Sequence, residues 1–139
     1  HTRAGMAIAA LAGGLNRSDF GGIALVDRVA YHDFEGLTVR IDERERLVQS
    51  LGDRNHLVLR NHGLLTCGGS VAQAMTRHYT LQRACEVQML ARGTGEALIE
   101  PSLETAANHA KALEDNDSHG LAFAALLRMM DQRDPSFRD

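Results

Sequence analysis

One block of this chain, His56 to Ala91, restricts its fold more than any other. A short apolar run, His56 to Leu59, is broken by Arg60-Asn61-His62-Gly63, and extended chain resumes from Leu64 to Cys67. Gly68-Gly69 then turns the chain into Ser70, and Ser70 with Gln73 three residues on reads as a capping box, in which the hydroxyl serves an open N–H of the first helical turn. That box opens the longest helix, about Val71 to Ala91, whose apolar positions Val71, Ala74, Met75, Leu81, Cys85 and Met89 keep three- and four-residue spacing. Strands interleaved with helices predict an α/β domain with helices on both sides of a sheet.

The rest of the chain follows the same alternation. Ala4 to Leu11 suits a close-packed helix ended by Gly13-Gly14, and Asn16 to Asp19 reads as a turn. Ile23 to Tyr31 is rich in strand formers, with Asp27-Arg28 as a tight turn between two short strands. Leu37 to Ile41 alternates apolar and polar residues as a half-buried strand does. Asp42 with Glu45 predicts a second capping box, opening a helix with Leu47, Val48 and Leu51 as its buried stripe and Gly52 as its end. Gly93 to Pro101 is a loop; helices are expected at about Leu103 to Leu113 and Leu121 to Gln132, before a polar tail. Three to five strands are visible, so part of the sheet is expected to lie outside these residues.

Composition removes several function classes. At 139 residues, with 44% hydrophobic and 24% charged, the chain suits one globular domain rather than a disordered, collagen-like or disulfide-stapled one. A net charge of −3, from 15 basic and 18 acidic residues, offers no field for nucleic acid. The longest mostly apolar stretch, Met6 to Leu15, falls well short of the roughly 20 residues of a membrane span. Cys67 and Cys85 have no CxxC partner and suit free thiols in a reducing cytosol, and the glycine-containing alanine stretch after His1-Thr2-Arg3 does not read as the leucine-rich core of a signal peptide, so a cytoplasmic protein is expected. The first residue is His1 rather than methionine, which predicts a piece of a longer protein.

Among seven histidines, His78 and His109 read as exposed helical residues, His119 as a cap, His56 as the start of a strand and His32 as part of a polar turn. His62 differs by position. It lies just past an apolar strand and before a glycine, and ligands in α/β sheets bind at the carboxyl ends of strands. A functional histidine and a structural one both fit that position. Gly68-Gly69-Ser70 offers backbone N–H groups to an anion, but it lacks a P-loop lysine and a helix cap accounts for it. No GxSxG and no zinc-finger cysteines are present.

Taken together, Leu59-Arg60-Asn61-His62-Gly63-Leu64-Leu65, then Cys67-Gly68-Gly69-Ser70, then Ala74 and the helix through Leu81, Ala84, Cys85, Glu86 and Gln88, resemble the class II aldolase/adducin family. His1-Thr2-Arg3-Ala4-Gly5-Met6-Ala7 resembles the family's H-x-H-T-x-x-G metal segment from its second histidine onward. The Asp134-Pro135-Ser136-Phe137-Arg138-Asp139 tail is nearer the adducin-type bacterial branch than the sugar-phosphate aldolases.

The resemblance implies a three-layer αβα domain, of which residues 1–139 are the C-terminal portion. It implies a divalent metal, most often zinc, held by three histidines, with His1 matching the second and His62 the third. The first histidine and the catalytic glutamate would lie upstream, so no catalytic residue is expected within these residues. The implied activity is that of a metal-dependent lyase acting on a small hydroxy-carbonyl compound through a metal-stabilised enediolate, with dehydration, epimerisation and decarboxylation open on the same platform. A homotetramer, with no nucleic-acid or membrane partner, is implied as well. The alternative within the family is a non-catalytic, adducin-like oligomerisation and binding module.

Overall fold

The computed structural model describes residues 1–25, 27–36, 41–114 and 119–138. Helix α1 (Arg3–Ala10) starts at Thr2, whose hydroxyl accepts the N–H of Gly5 at 3.2 Å, and buries Gly5, Ile8 and Ala9. After it the chain turns through Gly14, at φ +62, where a Cβ would run into the Tyr31 hydroxyl, so only glycine fits. Asp19 then caps α2 (Phe20–Ala24), its carboxylate accepting the N–H groups of Gly21 at 2.9 Å and Gly22 at 3.1 Å. The strand expected from Ile23 is therefore absent at Ile23 and Ala24. The aspartate cap fixes a helical turn before the strand formers can extend, and strand begins only after Asp27, at φ 56, has turned the chain.

Strand β1 (Val29–His32) follows, then α3 (Glu43–Leu51), β2 (His56–Leu59), β3 (Gly63–Thr66) and α4 (Val71–Arg92). Helices α5 (Leu103–Glu114) and α6 (His119–Arg133) and a 3₁₀ turn at Pro135–Arg138 complete the order. The strand expected at Leu37 to Ile41 lies, apart from Ile41, outside the described residues. Asp42 holds the N-cap position of α3, as expected, but the capping box does not form. It sits in the helical region with no capping bond, and its carboxylate pairs with Arg46 at 3.3 Å.

The sheet runs β1-β2-β3, with β1 and β2 parallel (Val29 opposite His56) and β2 and β3 antiparallel (Leu59 opposite Gly63). Alternate residues face opposite layers. Val29 and Leu64 pack on the core of Ile8, Leu25, Leu81, Ala84 and Cys85, which joins α1, α2 and α4. His32, on the other face of β1, meets Ser50 of α3. Helices thus cover both faces, as the alternation of elements predicts.

Two stripes differ from expectation. Val48 is 64% exposed, because α3 turns Glu43 and Ser50 toward His32 instead. On α4, Val71 and Met75 are exposed, and the buried face is Leu81, Ala84, Cys85 and Gln88. Gln88 earns its place in the core by hydrogen bonding: it accepts the Asn16 N–H and donates to the Gly14 carbonyl, both at 2.8 Å. Among the described residues no helix is long and apolar enough to cross a membrane.

Candidate metal centre

The β2–β3 hairpin closes through Arg60, Asn61 and His62. Asn61 takes the left-handed conformation, φ 57, which asparagine tolerates better than most residues, and the His62 N–H returns to the Leu59 carbonyl at 3.0 Å. The hairpin lies along α1. Asn61 donates its N–H to the Ala9 carbonyl at 3.1 Å. Arg60 donates to the Leu11 carbonyl at 2.7 Å and the Ala12 carbonyl at 3.3 Å, with its guanidinium 4.2 Å from the centre of the Tyr31 ring. A cation at the carbonyl end of a helix suits the helix dipole, so this contact locks hairpin to helix.

At the other end of α1, His1 precedes the Thr2 cap and stands over Gly63, where an added Cβ would lie 3.7 Å from the His1 nitrogen. The two imidazoles meet there. His1 Nε2 and His62 Nε2 are 2.7 Å apart, with ring centroids at 4.7 Å and planes inclined by 42°. At that distance one nitrogen must donate its hydrogen to the lone pair of the other. Two imidazole nitrogens on one tetrahedral zinc would stand about 3.3 Å apart, given bonds of about 2.0–2.1 Å. Parting the rings by about half an ångström therefore admits an ion, and the exposed His1 leaves it open to solvent. The donor set fits a divalent metal. Among the described residues no cluster of three metal-ligating side chains forms.

The other candidates are held in structural roles. His32 is not a turn residue: it ends β1, is only 6% exposed, and puts Nδ1 2.9 Å from the Ser50 hydroxyl, tying the sheet to α3. Its Nε2 lies 3.6 Å from Glu35 and 3.8 Å from Glu43, beyond hydrogen-bond reach. His56 is buried, and desolvation, then the charges of Arg77 and Arg28, push its pKa down to about 4. His109 is engaged rather than solvated, edge-on to Phe20 at 4.3 Å, and His119 bonds Thr76. Burial, with the charges of Asp19 and Glu86 behind it, pushes the Cys85 thiol up to about 12, which keeps it unreactive. At Gly68-Gly69-Ser70, Ser70 accepts the Gln73 N–H and Gln73 accepts the Gly69 N–H, so the cap reading holds. A cavity of about 760 Å³ opens near His56 and Arg77, at the end of the sheet away from the histidine pair.

Sequence reasoning missed the parts that hold the pair in place. Arg60 and Tyr31 carry no spacing signal, because each acts on a partner distant in sequence.

Fold and site together define an α/β domain with two histidines converging where β2 ends and α1 begins. The family of the class II aldolase and adducin N-terminal domain matches residues 1–89, and the chain belongs to it. A Pseudomonas aeruginosa protein whose name places it with the class 2 aldolases is 39% identical over 99% of this chain and 56% of its own length. Mouse alpha-adducin is 34% identical over 94% of this chain and 20% of its own length. The crystal structure of an aldolase II superfamily protein from Pseudomonas syringae superposes with a TM-score of 0.92 at 38% identity, covering all of this chain and 57% of that one. The L-fuculose 1-phosphate aldolase of Glaciozyma antarctica shares the fold, at TM-score 0.76 and 22% identity over 95% of this chain and 51% of its own. The chain thus spans about half the length of these bacterial and aldolase relatives.

Proposed function

We propose that this chain carries two of the histidine ligands of a metal-dependent lyase of the class II aldolase type, acting on a small hydroxy-carbonyl compound. The observation behind the reading is the meeting of His1 and His62, Nε2 to Nε2, across 61 residues of sequence. Membership of the class II aldolase and adducin family supports it. His1 and His62 would hold the ion as neutral imidazoles, and zinc is the first choice for such donors. When bound, the ion supplies a Lewis acid that polarises a carbonyl and offsets the negative charge left when a carbon–carbon bond or a proton departs. The chain's own part is to aim the donors. Asn61 sets the turn that presents His62, and Arg60 fixes the hairpin against α1. The same reading takes the protein as a cytoplasmic homotetramer that binds neither nucleic acid nor membrane.

The test is metal analysis of the purified full-length protein beside its His62→Ala variant. Losing one ligand should strip most of the metal, because the remaining donors no longer enclose the ion. Equal metal in both would make His62 structural. It would also favour the non-catalytic, adducin-like module, a reading that the 34% identity to alpha-adducin supports.

A further inference from the structure

A chain of side chains leads from the histidine pair into α4. The Thr2 hydroxyl, beside His1, accepts the Gly5 N–H and donates its own hydrogen to Gln82 Oε1. Gln82 Nε2 donates to Glu86 Oε1 at 2.9 Å, and the other carboxylate oxygen of Glu86 accepts from Arg83 at 2.6 Å. The direction of these bonds is forced from the Glu86 end. An ionised carboxylate only accepts, so Gln82 must turn its amide nitrogen to Glu86 and its oxygen to Thr2. The Gln82 bond is also the largest influence holding the Glu86 carboxyl below the usual carboxylate range, which keeps it in the accepting form. With Gln82 turned so, the single Thr2 hydrogen is committed to α4 and its lone pair to the α1 cap. The peptide that carries His1 is then held in one place.

We propose that Gln82 and Glu86 are positioning residues for His1, acting through Thr2. Their side chains bond Thr2, Arg83 and each other; through Thr2 they fix where the His1 imidazole stands relative to His62. For its metal arm the proposal rests on the reading of the pair as a metal site. Residues that orient ligands from behind typically change metal affinity by about 10–100-fold when replaced.

The experiment uses the full-length protein with Gln82→Leu, Glu86→Gln and Thr2→Ser. Two quantities are read: the imidazole resonances of His1 and His62 without metal, and the affinity for Co²⁺ by visible absorption. Thermal midpoints are recorded alongside. Gln82→Leu should move the His1 ring resonances toward those of an unconstrained histidine and weaken Co²⁺ binding by about 10–100-fold. Glu86→Gln should do the same to a smaller degree, since an amide no longer dictates which end of Gln82 faces Thr2. Thr2→Ser keeps the hydroxyl and should behave as the parent. Unchanged His1 resonances with unchanged affinity in Gln82→Leu would overturn the proposal. If the parent takes up no Co²⁺, the metal reading fails on its own. The metal-free resonances then decide: movement in Gln82→Leu sustains the positioning role, and constancy ends it. If Gln82→Leu does not fold, Glu86→Gln decides by the same two readouts.

Discussion

A buried imidazole ties folding to pH. His56 is 6% exposed and its pKa is pushed down to about 4, chiefly by desolvation and then by Arg77 and Arg28. The unfolded chain takes up this proton near the ordinary value of about 6.5 and the folded chain only near 4, so the unfolded state binds more protons between them. His56 therefore costs no stability above about pH 6.5, and its penalty grows as the pH falls toward 4. The slope approaches about 1.4 kcal/mol per pH unit and the total is on the order of 3 kcal/mol. Urea unfolding of the parent and His56→Phe from pH 4 to 7 checks this: the difference between them should shift toward the variant as the pH drops. A difference that stays flat would mean that His56 is not held neutral. At this scale the place of His62 in the turn between two strands was legible, because an apolar strand broken just before a glycine is a local pattern. Arg60 was not, since its partners at Leu11, Ala12 and Tyr31 lie far off in sequence. His1 stood out only through the family segment it resembles.

Between α1 and β3 a glycine sets the spacing. A Cβ on Gly5 would lie 2.7 Å from the Thr2 hydroxyl and 2.8 Å from Leu64, so the helix can lie on the strand only with no side chain there. In an exposed helix, Gly→Ala stabilises by about 1 kcal/mol. Here overpacking should reverse the sign, and Gly5→Ala is expected to lose about 1–3 kcal/mol. Gly120→Ala in α6, where an added Cβ meets nothing within 4 Å, should hold or gain stability. Urea midpoints of the two variants make the comparison, and a stabilised Gly5→Ala would show that α1 is free to shift. Elements were legible where cap and period agreed, as at Ser70 and α4. They misled where a side chain had a better partner: Asp42 gives its carboxylate to Arg46, and Asp19 caps the turn that holds Ile23. The Val71 and Met75 end of the α4 stripe failed because spacing tells which residues share a face, but not how far along the helix a neighbour covers it.

For the molecule as a whole, the histidine pair sets a limit on what these 139 residues do by themselves. The chain matches 56% of the length of its Pseudomonas aeruginosa relative, and among the described residues no third ligand joins His1 and His62. Three protein ligands and one open position make a catalytic zinc site, whereas two leave most of the ion's shell to water. The 139-residue chain alone is therefore expected to take up Co²⁺ weakly, with the pale spectrum of a six-coordinate hydrated ion rather than the intense bands of a tetrahedral one. It should also show no lyase turnover on hydroxy-carbonyl compounds, since proton transfer needs a positioned acid or base worth about 10²–10⁴-fold in rate. His1→Ala and His62→Ala should each weaken that uptake further, because each removes one of the two imidazole donors. Titration with Co²⁺ and a substrate panel decide the matter. Intense tetrahedral bands together with turnover would place a complete site within this chain, and would mean that a ligand and an acid–base group come from residues that its sequence does not mark.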